Sequence, residues 1–131
     1  MSAIEAVQAA IVAALQGHAG IADAVSGVFD GPPPRAAFPY IVIADSPVSD
    51  WSTKTALGRE MRLALTVWDD GEAPTRLHSL MAMVEEAVAA LPRDLPGWRI
   101  ASSLFLRSMI VRDAAGPWAG LVEHRIRVLS I

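Results

Sequence analysis

The sequence contains no cysteine at any of its 131 positions. Disulfide bonds, cysteine-ligated zinc and thiol nucleophiles are therefore excluded. There is also no unbroken run of about 18 apolar residues, which a membrane-spanning helix would need. Residues 1–5 show neither a cationic segment nor a continuous apolar one, so no secretory signal is predicted. With 53% apolar and 19% charged residues, the composition is typical of one globular domain, which we expect to span residues 1–131.

Recognisable catalytic and cofactor-binding patterns are absent as well. The chain has no G-x-G-x-x-G or Walker A phosphate loop and no G-x-S-x-G nucleophile elbow. Its three histidines, His18, His78 and His124, lack the i, i+4 spacing of a helical zinc site. We expect each of them on the surface or at an edge, and leave a tertiary cluster open. The sequence thus predicts no catalytic residue, no metal, no cofactor and no enzymatic activity.

Basic charge is not in surplus either. The formal net charge is −3, which argues against a general nucleic-acid binder but permits a local basic face. Three of the carboxylates, Asp69, Asp70 and Glu72, form a cluster just before a predicted helix. Such a cluster could bind a metal or serve in acid–base chemistry. We favour the interpretation in which these acids cap the helix N-terminus and complement its dipole.

Two segments carry the apolar periodicity of amphipathic helices. In the first, Ser2 and Glu5 fit a capping box and Gly17 a C-cap, and the second covers residues 73–91. Strands are predicted at residues 24–29, 40–44, 60–68, 99–111 and 121–129, with a polar loop at 45–58 and a hairpin connection at 112–118 that includes Asp113. The order α-β-β-β-α-β-β predicts an α+β fold, in which an antiparallel-rich sheet of about four to five strands packs two helices on one face.

Two features are not explained by the folding of a lone subunit. The last predicted strand places Glu123, Arg125 and Arg127 on one face, and Arg107 joins them if the register allows. This face is either solvated or a subunit contact, since arginine is favoured at interfaces. The polar loop carries Trp51, which either covers the core or anchors a partner, and Trp118 poses the same alternative. The candidate interface residues are Asp50, Trp51, Lys54, Arg107, Trp118, Glu123, Arg125 and Arg127.

Three segments of the chain together resemble a known family. The segments are FPYIVI at residues 38–43, DWSTK at 50–54 and LALTVW at 63–68. They are similar to the small tail completion proteins, or tail terminators, of long-tailed phages and gene transfer agents. The resemblance covers nearly the whole chain, and its most specific features are the DWSTK loop and the VW at the end of the strand.

The resemblance implies a structural role in a virion or phage-like particle, assembled in the bacterial cytoplasm. Tail terminators form a ring, usually a hexamer, at the head-proximal end of the tail tube. The ring stops polymerisation of the tail tube protein and joins the tail to the head connector or stopper protein. DNA passes through the lumen without sequence-specific binding, and no membrane or cofactor is involved.

A ring contact is heterologous, so each subunit needs two different complementary patches. The arginine–glutamate face of the last strand and the Trp51 loop are the candidates for these patches. An acidic chain also suits a channel through which DNA slides, because net negative charge avoids binding many phosphates at once. A lumen lined mainly with arginine would overturn that last hypothesis.

Two alternatives stay open. A head–tail connector or stopper protein belongs to the same structural class as a terminator. A small ligand-binding or enzymatic α+β domain that uses the acidic cluster belongs to a different class. A concentration-dependent hexamer would favour the ring, whereas a stable monomer with a deep polar pocket would favour ligand binding.

Overall fold

Three helices and seven strands make up the computed structural model, which describes residues 1–112 and 114–131. Asp113, which the sequence places in the last hairpin connection, lies outside the described residues. In chain order the elements are α1 (Ala3–Gly17), α2 (Ala19–Ala24), β1 (Val28–Asp30), β2 (Tyr40–Ile43), β3 (Val48–Asp50), β4 (Gly58–Asp69), α3 (Thr75–Ala89), β5 (Asp94–Leu95), β6 (Trp98–Arg112) and β7 (Trp118–Ser130).

The first helix forms as its sequence predicts. The Ser2 side chain accepts a hydrogen bond from the Glu5 backbone N–H at 3.2 Å, and the Glu5 carboxylate accepts one from the Ser2 backbone N–H at 2.8 Å. This confirms the capping box. The apolar stripe of α1 is buried against the sheet; its fully enclosed large side chains are Val7, Ile11 and Leu15.

The second predicted helix is α3, which is shorter than the predicted span of residues 73–91. Pro74 lies just outside its first turn, where the missing N–H costs nothing. Leu91 lies beyond its last turn and is half-buried rather than fully buried. The helix buries the apolar stripe that its amphipathic periodicity predicts; the buried residues are Leu77, Leu80, Met81, Val84, Ala87 and Val88.

The sheet has seven strands, against the four to five predicted. Its order is β1-β2-β4-β7-β6-β5, with β3 paired to the other half of β4. Only β1 and β2 run parallel among the described strands, so the expectation of an antiparallel-rich α+β fold is confirmed. The predicted strand count, the predicted number of two helices and the predicted order α-β-β-β-α-β-β are wrong. The elements that the sequence pattern missed are α2, β3 and β5, which are too short to show a periodicity.

One face of the sheet is covered by helices and the other is open. The core between sheet and helices includes Ile41, Leu65, Val122 and Ile126, each fully enclosed. Along β4 and β7 the buried residues alternate with half-exposed ones, so the polar sides of both strands lie on the open face. Within the described part of the chain, no helix is both long and apolar enough to cross a membrane.

Candidate interface surface

The candidate surface lies on the sheet face that the helices leave open. In the register of β4 with β7, Glu60 lies opposite Arg127. In the register of β6 with β7, Arg107 lies opposite Glu123, so Arg107 joins the polar side of the last strand. Residues paired across an antiparallel ladder point to the same face. We call this group the strand-face patch; it consists of Glu60, Arg62, Arg107, Glu123, Arg125 and Arg127.

Two ion pairs organise the strand-face patch. Arg107 donates from Nε and Nη2 to the two oxygens of Glu123, both at 3.1 Å. These hydrogen bonds, more than any other contact, hold the pKa of Glu123 below its usual range, so its carboxylate is ionised at neutral pH. Arg127 Nε donates to Glu60 Oε1 at 2.7 Å. Both pairs are side chain to side chain between neighbouring strands and fix the orientation of the arginines.

The other two arginines of the patch have weaker partners. Arg125 lies opposite Arg62 in the register of β4 with β7, and like charges in that position repel. The Arg125 Nε atom is buried, is 3.9 Å from Glu60 Oε1, and has no hydrogen-bond partner among the described residues. With four arginines and two glutamates, the patch carries a net charge of +2 in a chain of net charge −3. The patch therefore favours a partner that supplies carboxylates.

Trp51 belongs to the same surface. The guanidinium carbon of Arg127 lies 5.2 Å from the centroid of the Trp51 ring, within cation–π range. Trp51 is half-buried and lies outside the apolar core cluster. The sequence predicts the Trp51 loop and the arginine–glutamate face as two separate patches. The structure joins them into one.

The segment around Trp51 is also more ordered than the polar loop predicted at residues 45–58. It contains β3, which pairs with β4, and the Trp51 backbone N–H donates to the carbonyl of Gly58 at 2.9 Å. A Cβ atom at Gly58 would lie 2.3 Å from the Trp51 carbonyl oxygen, so only glycine permits this approach. Asp50 accepts hydrogen bonds from the Ser52 hydroxyl at 2.6 Å and from Arg59 Nη1 at 3.2 Å. The Ser52 bond is the main cause of a lowered pKa at Asp50.

The remaining two interface candidates lie apart from the patch. Lys54 is exposed in the turn between β3 and β4, and no carboxylate of the described residues pairs with it. Trp118 pairs with Asp69 at the opposite end of β4 from β3. Its indole N–H donates to the Gly71 carbonyl at 2.8 Å, and Arg112 lies 4.3 Å from its ring centroid. Trp118 thus ties the start of β7 to the turn before α3.

The acidic cluster does not cap α3, contrary to the favoured interpretation. The residue before the helix is Pro74, which makes no side-chain capping bond. Asp69 is instead fully buried and accepts hydrogen bonds from Arg76 Nε, Arg76 Nη2 and the Asp70 N–H. The Arg76 bonds are the main cause of a lowered pKa at Asp69. Among the described residues, no group of histidines and carboxylates could hold a metal ion.

The three histidines occupy three different environments. His78 is exposed, as expected, and His18 caps α2 and lies 3.0 Å from Glu86 through its Nε2 atom. The expectation for His124 is wrong, because its side chain is only 4% exposed and lies on the helix side of β7. The rings of His124 and Phe105 pack edge to face, with their centroids 5.7 Å apart. Burial lowers the pKa of His124, so the ring is neutral at physiological pH.

Sequence reasoning missed Glu60 and Arg62 as members of the patch. Both alternate with buried apolar residues of β4, and that alternation is visible in the sequence. Their assignment to the patch depends on β4 pairing with β7, which is far away along the chain. No local pattern reveals that pairing.

Residues 9–129 match the model of the family described as tail completion protein gp17. The chain belongs to this family. The tail completion protein gp17 of Bacillus phage SPP1 is 24% identical over 127 residues, covering 96% of this chain and 94% of that protein. The resemblance drawn from the FPYIVI, DWSTK and LALTVW segments is thereby confirmed.

Two solved structures share the fold of this tail completion family member. A chain in the virion of a native gene transfer agent particle superposes with a TM-score of 0.85 at 27% identity, covering 98% of both chains. The bacteriophage SPP1 gp17 protein superposes with a TM-score of 0.65 at 22% identity, covering 97% of this chain and 89% of that one. The second likeness shows the fold alone.

Proposed function

We propose that this chain is a structural subunit of a phage-like particle that forms a ring, a hexamer, at the head-proximal end of the tail tube. The ring stops polymerisation of the tube protein and joins the tail to the head connector, after assembly in the bacterial cytoplasm. The observation that supports this most is the near-complete match, over 98% of both chains, to a component of a gene transfer agent virion. The whole chain, residues 1–131, acts as one domain in this role.

The strand-face patch is the surface that we propose for a protein contact in the ring. It lies beside the half-buried Trp51 and contains arginines whose geometry is fixed by ion pairs. Aromatic and arginine side chains dominate interface energetics. Arg125 contributes a buried Nε donor without a partner in the described residues. The Arg125 side chain as a whole is 30% exposed, so a carboxylate from another subunit would pair with its guanidinium from the open face of the sheet.

The charge of the patch bears on where DNA passes. A surface with two arginines in excess would bind phosphates and retard a sliding duplex. We therefore propose that the strand-face patch faces protein, and that other, less basic parts of the chain line the lumen. DNA then passes without sequence-specific binding.

Deleting the coding sequence for this chain from its particle tests the proposed function. Tail tubes of uncontrolled length, without heads attached, are the expected result in electron micrographs. Tails of normal length beside heads that leak DNA would identify a stopper instead of a terminator. Tails of normal length that are joined to heads would contradict both structural roles and would favour the alternative of a ligand-binding domain.

A further inference from the structure

A ring contact that is not two-fold symmetric needs two different surfaces on each subunit. The strand-face patch and Trp51 form one surface, so the second must lie elsewhere on the molecule. The β6 strand extends the first surface, and the outer side of the helices is the candidate for the second.

Exposed apolar side chains are concentrated on β6. Leu104, Met109 and Val111 are 47%, 41% and 46% exposed, and all three point to the open face of the sheet. We call them the β6 strip. Leu104 lies opposite Arg125 of β7, so the strip is continuous with the strand-face patch. An apolar margin beside a polar patch is typical of an interface rather than of a solvated face.

The β6 strand is also a bare edge over most of its length. Its outer neighbour β5 pairs only with Trp98 and Arg99, and no described strand pairs with its outer side over residues 101–112. Bulges between Ile100 and Ser102 and between Phe105 and Arg107 interrupt its ladder with β7. Bulges of this kind oppose simple strand addition, so side chains rather than backbone groups offer the contact.

The outer side of the helices has the complementary character. The three helices carry the carboxylates Glu5, Asp23, Glu85 and Glu86 against the single guanidinium of Arg76, a net charge of −3 with neutral histidines. Between α1 and α3 runs an apolar groove of about 430 Å³, with Glu86 and His18 at its edge. The strand-face patch carries a net charge of +2, so the patch and the helices are opposite in charge.

We propose that the β6 strip of one copy packs on the outer side of α1 and α3 of a second copy of this chain. The neighbour's helices would cover the open sheet face as the chain's own helices cover the other face. Carboxylates of α3 would then come within reach of the patch arginines that lack partners, such as Arg125. This contact rests on the proposed ring function and is head-to-tail, as the contacts within a closed ring are.

The charges also disfavour the symmetric alternative. Two open faces stacked on one another would bring together two patches of net charge +2. The exposed stretch of β6, residues 101–112, carries two arginines and no carboxylate, so pairing this edge with itself would also bring like charges together. Opposite charges on the two sides of the subunit favour head-to-tail packing over a two-fold dimer.

Cysteine cross-linking tests this contact, because the natural chain has no cysteine to interfere. Leu104→Cys on β6 and Ala13→Cys on the exposed side of α1 are introduced together, and assembled tails are treated with a short bis-maleimide. A ladder of covalent oligomers ending at the ring size is expected. Each single variant should give no ladder, and the pair Leu57→Cys with Ala13→Cys serves as a matched exposed control.

The outcomes separate this contact from the function on which it rests. Terminated tails with rings visible in micrographs but no ladder would refute the β6-to-helix contact and leave the ring intact. A covalent dimer from Leu104→Cys alone would refute it in favour of stacked open faces. Tails without rings would refute the proposed function itself. Independently, replacing Leu104 and Met109 with serine should raise the subunit concentration needed to terminate tails at least about tenfold, with unchanged thermal stability of the free subunit.

Discussion

Replacing Arg76 with alanine should destabilise the folded chain by about 2 kcal/mol, because it leaves the buried carboxylate of Asp69 without its charged partner. Asp69 is fully buried and receives its strongest hydrogen bonds from the Arg76 guanidinium. Removing one partner of a buried pair costs about 3–5 kcal/mol in fully enclosed sites. The Arg76 side chain is 50% exposed, and Asp69 keeps its hydrogen bond from the Asp70 N–H. The expected cost is therefore about 2 kcal/mol, below the range for fully enclosed pairs.

Urea unfolding at neutral pH measures this cost directly through the shift of the midpoint at constant slope. The matched control is Arg99→Ala, which removes an ion pair with Asp94 whose side chains are 59% and 68% exposed. Exposed pairs of this kind contribute at most about 1 kcal/mol. Equal midpoint shifts for Arg76→Ala and Arg99→Ala would refute the view that Asp69 is a buried structural carboxylate.

The pair of Asp69 and Arg76 should also make the stability of the chain depend on pH in the acidic range. The pKa of Asp69 is lower in the folded chain than in the unfolded one, so its contribution to stability is fully present above the unfolded value of about 3.9. That contribution is lost as the pH falls from there through the lower folded value. The difference between natural chain and Arg76→Ala should therefore be constant from about pH 5 upwards and shrink below about pH 4. A difference independent of pH in that range would mean that the carboxylate is not the cause.

Three further predictions concern single positions. His124→Leu should reduce the loss of stability as the pH falls below about 6.5, because burial lowers the pKa of His124 and the unfolded chain takes up the proton first. Urea unfolding at several pH values checks this. Gly120→Ala should lower the free energy of unfolding by about 1–3 kcal/mol, since its Cβ would lie 2.6 Å from Met81 Sδ. The control is Gly17→Ala, whose Cβ would have no atom within 4 Å and which should not destabilise α1 in the same assay. Trp51→Ala should impair tail assembly far more than the thermal stability of the free subunit. The free subunit loses only the cation–π contact with Arg127, which is about 1 kcal/mol. An equal loss of assembly and of thermal stability would mean that Trp51 is part of the fold.

The long elements of this fold could be predicted because their patterns are local. The capping box of α1 joins residues three apart, and the alternation along β4 spans neighbouring positions. The short elements could not be predicted. The strand β3 has only three residues, all exposed, and exists because β4 offers it an edge. Tertiary pairing, not propensity, decides such a segment.

The candidate surface was predictable in its parts but not as a whole. Glu123, Arg125 and Arg127 share a face by alternation alone, which any strand imposes. That Trp51 lies against Arg127 depends on the hairpin of β3 and β4 folding back along β7. The burial of Asp69 likewise depends on Arg76 reaching back from α3. Contacts between distant segments carry no signature in the residues that make them.

The position of β7 has a consequence for how the subunit is made. This strand lies between β4 and β6 along almost its whole length, yet it follows both of them in the chain. Until β7 is available, β4 and β6 have no common neighbour, and each lacks the hydrogen-bonded ladder that β7 supplies along one edge. Such non-local pairing makes folding slow. A growing chain therefore cannot present a finished interface early, so subunits join the particle only after the last strand has closed the sheet.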